Sequence, residues 1–215
     1  MIKHIIFDVD KTIYPESCGF GDEMDRRISQ YTATYIDIPL EDADILRRES
    51  FKKYGTTLKW LQKEHGLTDT EHFLDKVHPK NVEKYLPNKK RVHKTFNNIS
   101  IPMSILSNGP MENINRILNF YEIRTLFHPI IDIKMNNLLG KPNRKAYEYI
   151  LKQIDCPIKE ILFVDDVEEY LAPFKNMGGQ VLLINETNKS TTFGFDQINN
   201  ILDLPDYLKT VTNVV

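Results

Sequence analysis

Two aspartates lie two residues apart in the segment FDVDKT, residues 7 to 12, directly after a short apolar run. Such a run is typical of a buried parallel strand, and Asp8 and Asp10 would then stand at the carboxyl end of that strand. Two carboxylates held so close repel each other unless a cation or a proton compensates their charge. Alone, the pair is also typical of a solvated loop. The function of the pair therefore depends on which other side chains lie near the carboxyl end of this strand.

Two further apolar runs also end in polar residues. The run SILSNG, residues 104 to 109, ends in Ser107 and Asn108, and the run ILFVDD, residues 161 to 166, ends in Asp165 and Asp166. In open parallel α/β sheets, ligands bind beyond the carboxyl ends of the strands. Three separate runs would thus deliver four acids and a hydroxyl group to one edge of a sheet.

This set of side chains favours a metal ion and a phosphate as ligands. Converging carboxylates need a cation, and oxygen ligands favour a hard ion, for which Mg²⁺ is our prediction. The segment SNGPM offers the Ser107 hydroxyl and backbone N–H groups at a helix start, with Pro110 suited to the first turn. Lys141, in GKPNRKAY, adds a positive charge ahead of another helix start. Taken singly, SNGP is an ordinary strand-to-helix turn and Lys141 an ordinary solvated lysine.

The periodicity of the chain predicts the elements that position these residues. Between about residues 22 and 98, apolar residues recur at helical steps, as in Met24, Ile28, Tyr31, Tyr35 and Ile38, and then in Ile45, Leu46 and Phe51. Strand-like runs return at 101–109, 128–135, 160–166 and 180–185, each beside a helical stretch. We therefore predict an α/β fold, a Rossmann-like open parallel sheet with an α-helical cap inserted after the first strand. The core domain would comprise residues 1–14 and 91–215, and the cap residues 15–90.

Composition narrows the class of protein further. The 215 residues are 41% hydrophobic and 27% charged, with 28 basic and 30 acidic side chains, which suits a globular protein without general affinity for nucleic acid or anionic membranes. No apolar run approaches the roughly 18 residues of a membrane span, so we expect a cytoplasmic protein. Cys18 and Cys156 have no spacing typical of a disulfide framework or a thiolate metal site.

The ordered segments FDVDKT, SILSNG, Lys141 and FVDD resemble the four motifs of the haloacid dehalogenase-like (HAD) hydrolase superfamily. The resemblance implies that Asp8 attacks phosphorus to form an aspartyl phosphate and that Asp10 is the general acid and base. It also implies a Mg²⁺ ion held by Asp8, the backbone carbonyl of Asp10 and Asp166, with Asp165 nearby. The helical insert would then be a cap that closes over the substrate.

The resemblance also implies a phosphate site. Thr12 matches the threonine of the first motif, and Ser107 and Lys141 match the phosphate-binding positions of the second and third motifs. We include Asn108, beside Ser107, in the same predicted site. The chemistry agrees with phosphoryl transfer, because a leaving alkoxide needs the proton that Asp10 would supply, whereas a leaving halide does not.

Two stretches outside the motifs resemble the pyrimidine 5′-nucleotidase branch of this superfamily. They are TIYPESCGF, residues 12 to 20, and LRRESFKKYGTTLKWLQKEHG, residues 46 to 66. This chain departs from the branch in VHPKN at 77–81, in Arg144 where a proline is usual, and in Tyr170 where an asparagine is usual. Candidate contacts for a base and ribose are Arg47, Arg48, Lys53, Tyr54, Thr56, Thr57 and Trp60.

The expected activity is hydrolysis of a small phosphate ester, a nucleoside monophosphate above all, with Mg²⁺ as cofactor. Two alternatives stay open at this point. One is a phosphatase of the same superfamily that acts on a sugar phosphate or phosphoglycolate. The other is a non-catalytic relative that keeps the fold as a binding module, which only Tyr170 and the altered VHPKN segment favour.

Overall fold

The computed structural model describes residues 1–211 and divides into two compact units. One unit is Gly19–Asn81, and the other joins Met1–Cys18 to Val82–Val215. The sequence assigned residues 15–90 to the inserted domain, so the inserted unit is shorter at both ends. Residues 15–18 and 82–90 belong to the other unit, where Ser17 donates two hydrogen bonds to Glu186 and the Tyr121 hydroxyl donates one to the Pro87 carbonyl.

The inserted unit is helical, as the periodicity predicts. Its helices are α1 Phe20–Ile36, α2 Leu40–Tyr54, α3 Thr57–Glu64 and α4 Thr70–Val77. Gly55 ends α2 in the left-handed conformation, at φ 76°, which glycine adopts without steric cost. Thr56 then caps α3 by accepting from the Lys59 N–H group, and Asp69 caps α4 by accepting from the His72 N–H group.

The buried face of α2 differs from the one its apolar residues predict. Ile45 and Leu46 are 50% and 40% exposed, whereas Ala43 and Arg47 are buried. Ile45, Leu46 and the Gly55 stop therefore predict the helix and its end correctly, but Ile45 and Leu46 do not lie on its buried face. Polar partners on α1 explain the difference, because they allow an arginine to occupy the buried position.

Arg47 is the centre of a polar network between α1 and α2. Its Nε donates to the Ser29 hydroxyl at 2.6 Å, and its guanidinium pairs with Asp25 at 3.2 Å and Asp44 at 3.0 Å. The Ser29 hydroxyl also donates to Asp44 at 2.6 Å. A buried charge is tolerated only when it is paired and hydrogen-bonded, and this network meets that condition.

We predict that Arg47→Ala lowers the stability of the helical unit by about 1 to 3 kcal/mol, because it removes the buried cation and leaves its hydrogen-bonding partners unpaired. Arg48→Ala is the matched control, since Arg48 pairs with the same Asp44 from an exposed position and should change stability by less than about 0.5 kcal/mol. Trp60, the single tryptophan, lies in this unit and reports its denaturant unfolding by fluorescence. Equal effects of the two substitutions would contradict the prediction.

The second unit is built on a six-stranded parallel sheet in the order β3-β2-β1-β4-β5-β6. The strands are β1 His4–Phe7, β2 Met103–Leu106, β3 Phe127–Ile131, β4 Ile161–Asp165, β5 Gln180–Ile184 and β6 Gln197–Ile198. The first five match the predicted runs, and the two-residue β6 was not predicted. The sheet confirms the predicted α/β class and its insert after the first strand.

Helices cover both faces of the sheet. They are α5 Lys89–Asn97, α6 Met111–Phe120, α7 Arg144–Leu151, α8 Glu168–Asn176 and α9 Leu204–Val211. Because side chains alternate along a strand, one face buries a cluster of aromatic rings and the other face buries a second cluster. The first consists of Tyr147, Phe163 and Phe174, and the second of Phe7, Phe96 and Phe127. No helix within residues 1–211 has the length and apolar character needed to cross a membrane.

The register of the central strands aligns the predicted catalytic residues. Phe7, the last residue of β1, is opposite Ile105 of β2 and Val164 of β4. Asp8 therefore follows β1 at the level where β4 ends in Asp165, and the Asp8 N–H group donates to the Val164 carbonyl at 2.9 Å. The strand pairing alone thus brings two separate motifs together.

Candidate active site

The first motif forms a tight turn directly after β1. The Ile13 N–H group donates to the Val9 carbonyl at 3.0 Å, and Lys11 adopts the left-handed conformation at φ 58°. Asp8 is 6% exposed, and Thr12 is 1% exposed. The Thr12 hydroxyl is buried without a hydrogen-bond partner in residues 1–211. An unsatisfied buried hydroxyl is costly, and at Thr12 it lies in the motif predicted to bind phosphate, so its proton is available to a ligand oxygen.

Lys141 lies between two buried aspartates. Its Nζ donates to Asp8 Oδ1 at 2.7 Å and to Asp165 Oδ2 at 2.5 Å, and the side chain has no exposed surface. Burial lowers the pKa of Lys141, but the charges of Asp165 and Asp8 outweigh burial and raise the pKa above its usual value. The second oxygen of Asp165 accepts from the Val167 N–H group at 3.0 Å. Lys141 is therefore a fixed ammonium at the predicted phosphate site.

Asn108 holds the main chain of Lys141. Its Oδ1 accepts from the Lys141 N–H group at 2.8 Å, and its Nδ2 donates to the Lys141 carbonyl at 2.9 Å. The sequence placed Asn108 among the phosphate-binding residues. In the structure both polar atoms of its side-chain amide are hydrogen-bonded to the Lys141 main chain.

Two aromatic rings flank the Lys141 ammonium. Nζ lies 5.3 Å from the ring centroid of Phe163 and 5.1 Å from that of Tyr170, distances at which the ring faces attract a cation. Tyr170 is the residue that stands where an asparagine is usual in the pyrimidine 5′-nucleotidase branch. Its contact with Lys141 shows that the ring is part of the site's surroundings rather than a defect in them.

Asp10 has a different environment from Asp8. Its Oδ1 accepts hydrogen bonds from the Tyr14 hydroxyl at 2.8 Å and from Asn113 Nδ2 at 3.3 Å. Burial and the charge of Asp8 raise the pKa of Asp10 to about 6, although the hydrogen bonds and Lys141 act in the opposite direction. Tyr14 and Asn113 were not identified from the sequence, because a tyrosine in a turn and an asparagine in a helix carry no specific signal.

Three carboxylates form a cluster that suits a metal ion. Asp8, Asp165 and Asp166 each offer an oxygen within 4.8 Å of the others, and the Asp10 side chain is not part of this group. Octahedral Mg²⁺ with oxygen ligands at about 2.1 Å keeps those oxygens about 2.9 to 4.2 Å apart, so the cluster fits with small adjustments.

The charge balance of this cluster also favours a cation. Lys141 supplies an ammonium in contact with Asp8 and Asp165, and the charge of Lys11 acts on Asp166. Burial raises the pKa of Asp165 to about 7, although Lys141 acts against this rise. Burial and the charges of Asp165 and Asp8 raise the pKa of Asp166 well above its usual range. The carboxylates thus lack compensating charge, which a divalent cation would supply.

The start of α6 offers fewer free N–H groups than the sequence predicts. The Gly109 N–H group donates to the Ser107 hydroxyl at 3.0 Å, and the Met111 N–H group donates to Asp132 Oδ2 at 2.9 Å. Asp132 also accepts from the Met135 N–H group at 2.8 Å, so it fixes the beginning of α6 and the loop after β3. Asp132 was not singled out from the sequence. The Ser107 hydroxyl is buried and keeps its own proton for a ligand.

The other two departures from the resemblance lie outside this cluster. Arg144 is exposed and pairs with Glu148 at 2.8 Å on the surface of α7. His78, in the VHPKN segment, bonds through Nδ1 to the Leu74 carbonyl at 2.7 Å, and Lys80 pairs with Asp75. Both sets of contacts are made within the unit to which the residue belongs, so neither departure removes a group from the site.

With the fold and the site in place, comparison with known proteins shows the family. The model of the haloacid dehalogenase-like hydrolases matches residues 2–178, which is most of the chain. The chain belongs to this family of hydrolases.

Individual relatives agree with this assignment. Enolase-phosphatase E1 of Aquifex aeolicus (strain VF5) is 31% identical over 107 residues, which are 48% of this chain and 47% of that protein. The chain therefore aligns with about half the length of this relative. Two solved structures share the fold over nearly the whole of both chains. They are a HAD phosphatase from Thermococcus onnurineus (TM-score 0.64, 17% identity, 96% and 98% covered) and the L-2-haloacid dehalogenase from Xanthobacter autotrophicus (0.63, 15%, 98% and 99%).

Removal of the unpaired Thr12 hydroxyl should have opposite effects on the stability of the protein and on phosphate binding. Thr12→Val removes a buried hydroxyl without a partner and should stabilise the protein by about 1 kcal/mol while weakening the binding of inorganic phosphate several-fold. Thr32→Val is the matched control, because the Thr32 hydroxyl in the helical unit is also buried without a partner among the residues that the structure describes. The control substitution should stabilise the protein and leave phosphate binding unchanged. Thermal melts and isothermal titration with phosphate measure both effects, and unaltered phosphate affinity in Thr12→Val would contradict the assignment.

Proposed function

We propose that this hydrolase is a Mg²⁺-dependent phosphomonoesterase that acts through an aspartyl phosphate on Asp8. The observation that carries the proposal is the contrast between the two aspartates of the first motif. Asp8 is ion-paired with Lys141, whereas Asp10 is held by the neutral groups of Tyr14 and Asn113, with a pKa raised to about 6. Environments that separate two carboxylates in this way suit one as nucleophile and the other as acid and base.

The residues divide the reaction between them. Asp8 attacks phosphorus, and Lys141 neutralises charge on the nucleophile and the phosphate. Asp10 gives a proton to the leaving ester oxygen and later takes one from the attacking water. The Thr12 and Ser107 hydroxyls would donate to phosphate oxygens, and Asn108 keeps Lys141 in place.

A Mg²⁺ ion fits the same site. Asp8, Asp166 and the backbone carbonyl of Asp10 would hold it, with Asp165 nearby. When bound, the ion supplies positive charge that offsets the charge of the carboxylates and of the phosphate. Asp165 already uses its oxygens for Lys141 and for the Val167 N–H group. This supports Asp166 over Asp165 as the ligand among the two adjacent acids.

The environment of Asp10 favours a phosphatase over a dehalogenase. A halide leaves without a proton, so a positioned acid at Asp10 has no use in that reaction. The relatives from Aquifex aeolicus and Thermococcus onnurineus are named as phosphatases, which agrees with this choice. The likeness to the L-2-haloacid dehalogenase, at 15% identity, concerns the fold alone. A non-catalytic role is disfavoured, since every acid, the lysine and both hydroxyls of the predicted site are present.

Nucleoside monophosphates are our proposed substrates, on the basis of the two stretches that resemble pyrimidine 5′-nucleotidases. The residues suggested as base contacts need revision. Arg47 is buried in its network with α1, Arg48 pairs with Asp44, and Tyr54 bonds to Glu64. Trp60 is 6% exposed. These side chains have structural partners within the helical unit, so the base preference rests on the sequence resemblance alone.

The reaction is tested first with 4-nitrophenyl phosphate. The protein should release phosphate with Mg²⁺ present and lose this activity when the ion is removed by a chelator, with recovery on adding Mg²⁺ back.

Asp8→Asn should be inactive while it remains folded, because the amide neither attacks phosphorus nor brings charge to the metal. Asp166→Asn should raise the Mg²⁺ concentration needed for half activity more than Asp165→Asn does. Full activity in excess chelator, or turnover by Asp8→Asn, would contradict the mechanism.

A panel of phosphate esters tests the substrate. We expect UMP and CMP to be hydrolysed better than AMP and GMP by several-fold, within the range of about 1 to 3 kcal/mol that one or two pocket contacts provide. Phosphoglycolate, glycerol phosphate and hexose phosphates complete the panel under the same Mg²⁺ concentration. If a sugar phosphate or phosphoglycolate exceeds every nucleotide in kcat/KM, the nucleotidase assignment fails and the phosphatase assignment stands.

A further inference from the structure

The carboxyl group of Asp10 is held by one of its two oxygens. Oδ1 accepts from the Tyr14 hydroxyl at 2.8 Å and from Asn113 Nδ2 at 3.3 Å. Both partners are buried, with Tyr14 1% and Asn113 0% exposed. A side-chain NH₂ group can only donate a hydrogen bond, so Oδ1 is the acceptor of both hydrogen bonds.

The other oxygen, Oδ2, lies beside the Gly109 backbone. A methyl group built on Gly109 would lie 3.3 Å from Asp10 Oδ2 and 3.4 Å from the Ser107 Oγ atom. Asp10 Oδ2 and the Ser107 hydroxyl therefore border the same small space beside the Gly109 backbone. Ser107 belongs to the second motif, and its hydroxyl is one of the proposed phosphate donors.

We propose that Tyr14 and Asn113 are positioning residues for the reaction, and that they orient Asp10 so that Oδ2 is the oxygen that delivers the proton. This inference rests on the proposed phosphatase function. Tyr14 and Asn113 reach Asp10 from different parts of the chain, the turn after β1 and the first turn of α6. Two donors from separate elements fix the rotation of the carboxyl group better than one donor does.

In this reaction an oxygen of Asp8 forms a bond to phosphorus while the bond from phosphorus to the ester oxygen breaks, and the electron pair of the broken bond goes to the ester oxygen. The proton on Asp10 Oδ2 moves to that oxygen and the alcohol leaves. The carboxylate that remains on Asp10 keeps its two hydrogen bonds at Oδ1, which stabilise the negative charge that it gains.

Aryl phosphates with different leaving groups test the inference. Phenyl phosphate and 4-nitrophenyl phosphate have nearly the same shape, but only the less acidic phenol depends strongly on a proton donor. The value of kcat/KM isolates formation of the phosphoenzyme, because the alcohol leaves in that step. Tyr14→Phe and Asn113→Ala should each lower kcat/KM about tenfold for phenyl phosphate and less than about threefold for 4-nitrophenyl phosphate, part of the 10² to 10⁴ that general acids contribute.

The controls separate positioning from loss of structure. Tyr121→Phe removes the hydroxyl of another buried tyrosine, which donates to the Pro87 carbonyl at 3.1 Å, and should leave both rates unchanged. Asp10→Asn removes the acid itself, so its kcat/KM should depend most steeply on the leaving group. Thermal melts check that each variant is folded. If Tyr14→Phe does not fold, Asn113→Ala provides the same test.

Two results would overturn the inference. Equal losses on the two esters in the folded Tyr14→Phe and Asn113→Ala variants would show that these residues do not act through the acid, while the phosphatase function would stand. Absence of phosphate release from either ester by the unmodified protein with Mg²⁺ would reject the proposed function together with the inference.

Discussion

The buried ion pairs of Lys141 with Asp8 and Asp165 are the interaction on which the rest of the site depends. A lysine without exposed surface requires compensation for lost hydration, and it receives this from two carboxylates at 2.7 and 2.5 Å. The same ammonium reduces the repulsion that would otherwise drive Asp8 away from Asp165. One positive charge is nevertheless too little for the acids gathered here, and this deficit is the physical basis for proposing a divalent cation.

The fold places this lysine through contacts that leave little freedom. Parallel pairing of β1 with β4 brings Asp8 beside Asp165, and the loop before α7 brings Lys141 to both. Asn108, at the end of β2, fixes the lysine main chain with two hydrogen bonds. A methyl group on Gly140 would overlap the Asn108 amide, so the residue before Lys141 has to be glycine for that pairing to form. Three strands of one sheet thus determine the position of one ammonium.

Much of this arrangement could be predicted from the sequence, for identifiable reasons. Apolar runs that end in acids predict strand ends, and parallel strands of one sheet end at the same edge, so the meeting of Asp8 with Asp165 and Asp166 follows from local pattern. The partners of Asp10 could not be predicted in this way. Tyr14 and Asn113 contact Asp10 only because a turn and a distant helix meet in space.

Arg47 shows the same limit of sequence pattern. It was a candidate contact for a base and ribose, but it is buried in α2 because Ser29, Asp25 and Asp44 pair with it. Sequence periodicity counts apolar residues and does not register such long-range pairing.

The central claim is that Asp8 becomes covalently phosphorylated during turnover. Mixing the protein with a ³²P-labelled phosphate ester and Mg²⁺, quenching with acid within the first turnover and mapping the labelled peptide tests it directly. Reduction with borohydride should convert the modified residue into homoserine, which identifies its position by mass spectrometry. The account predicts label and homoserine at position 8, with both absent in Asp8→Asn. Turnover without covalent phosphate, or label on another residue, would contradict it.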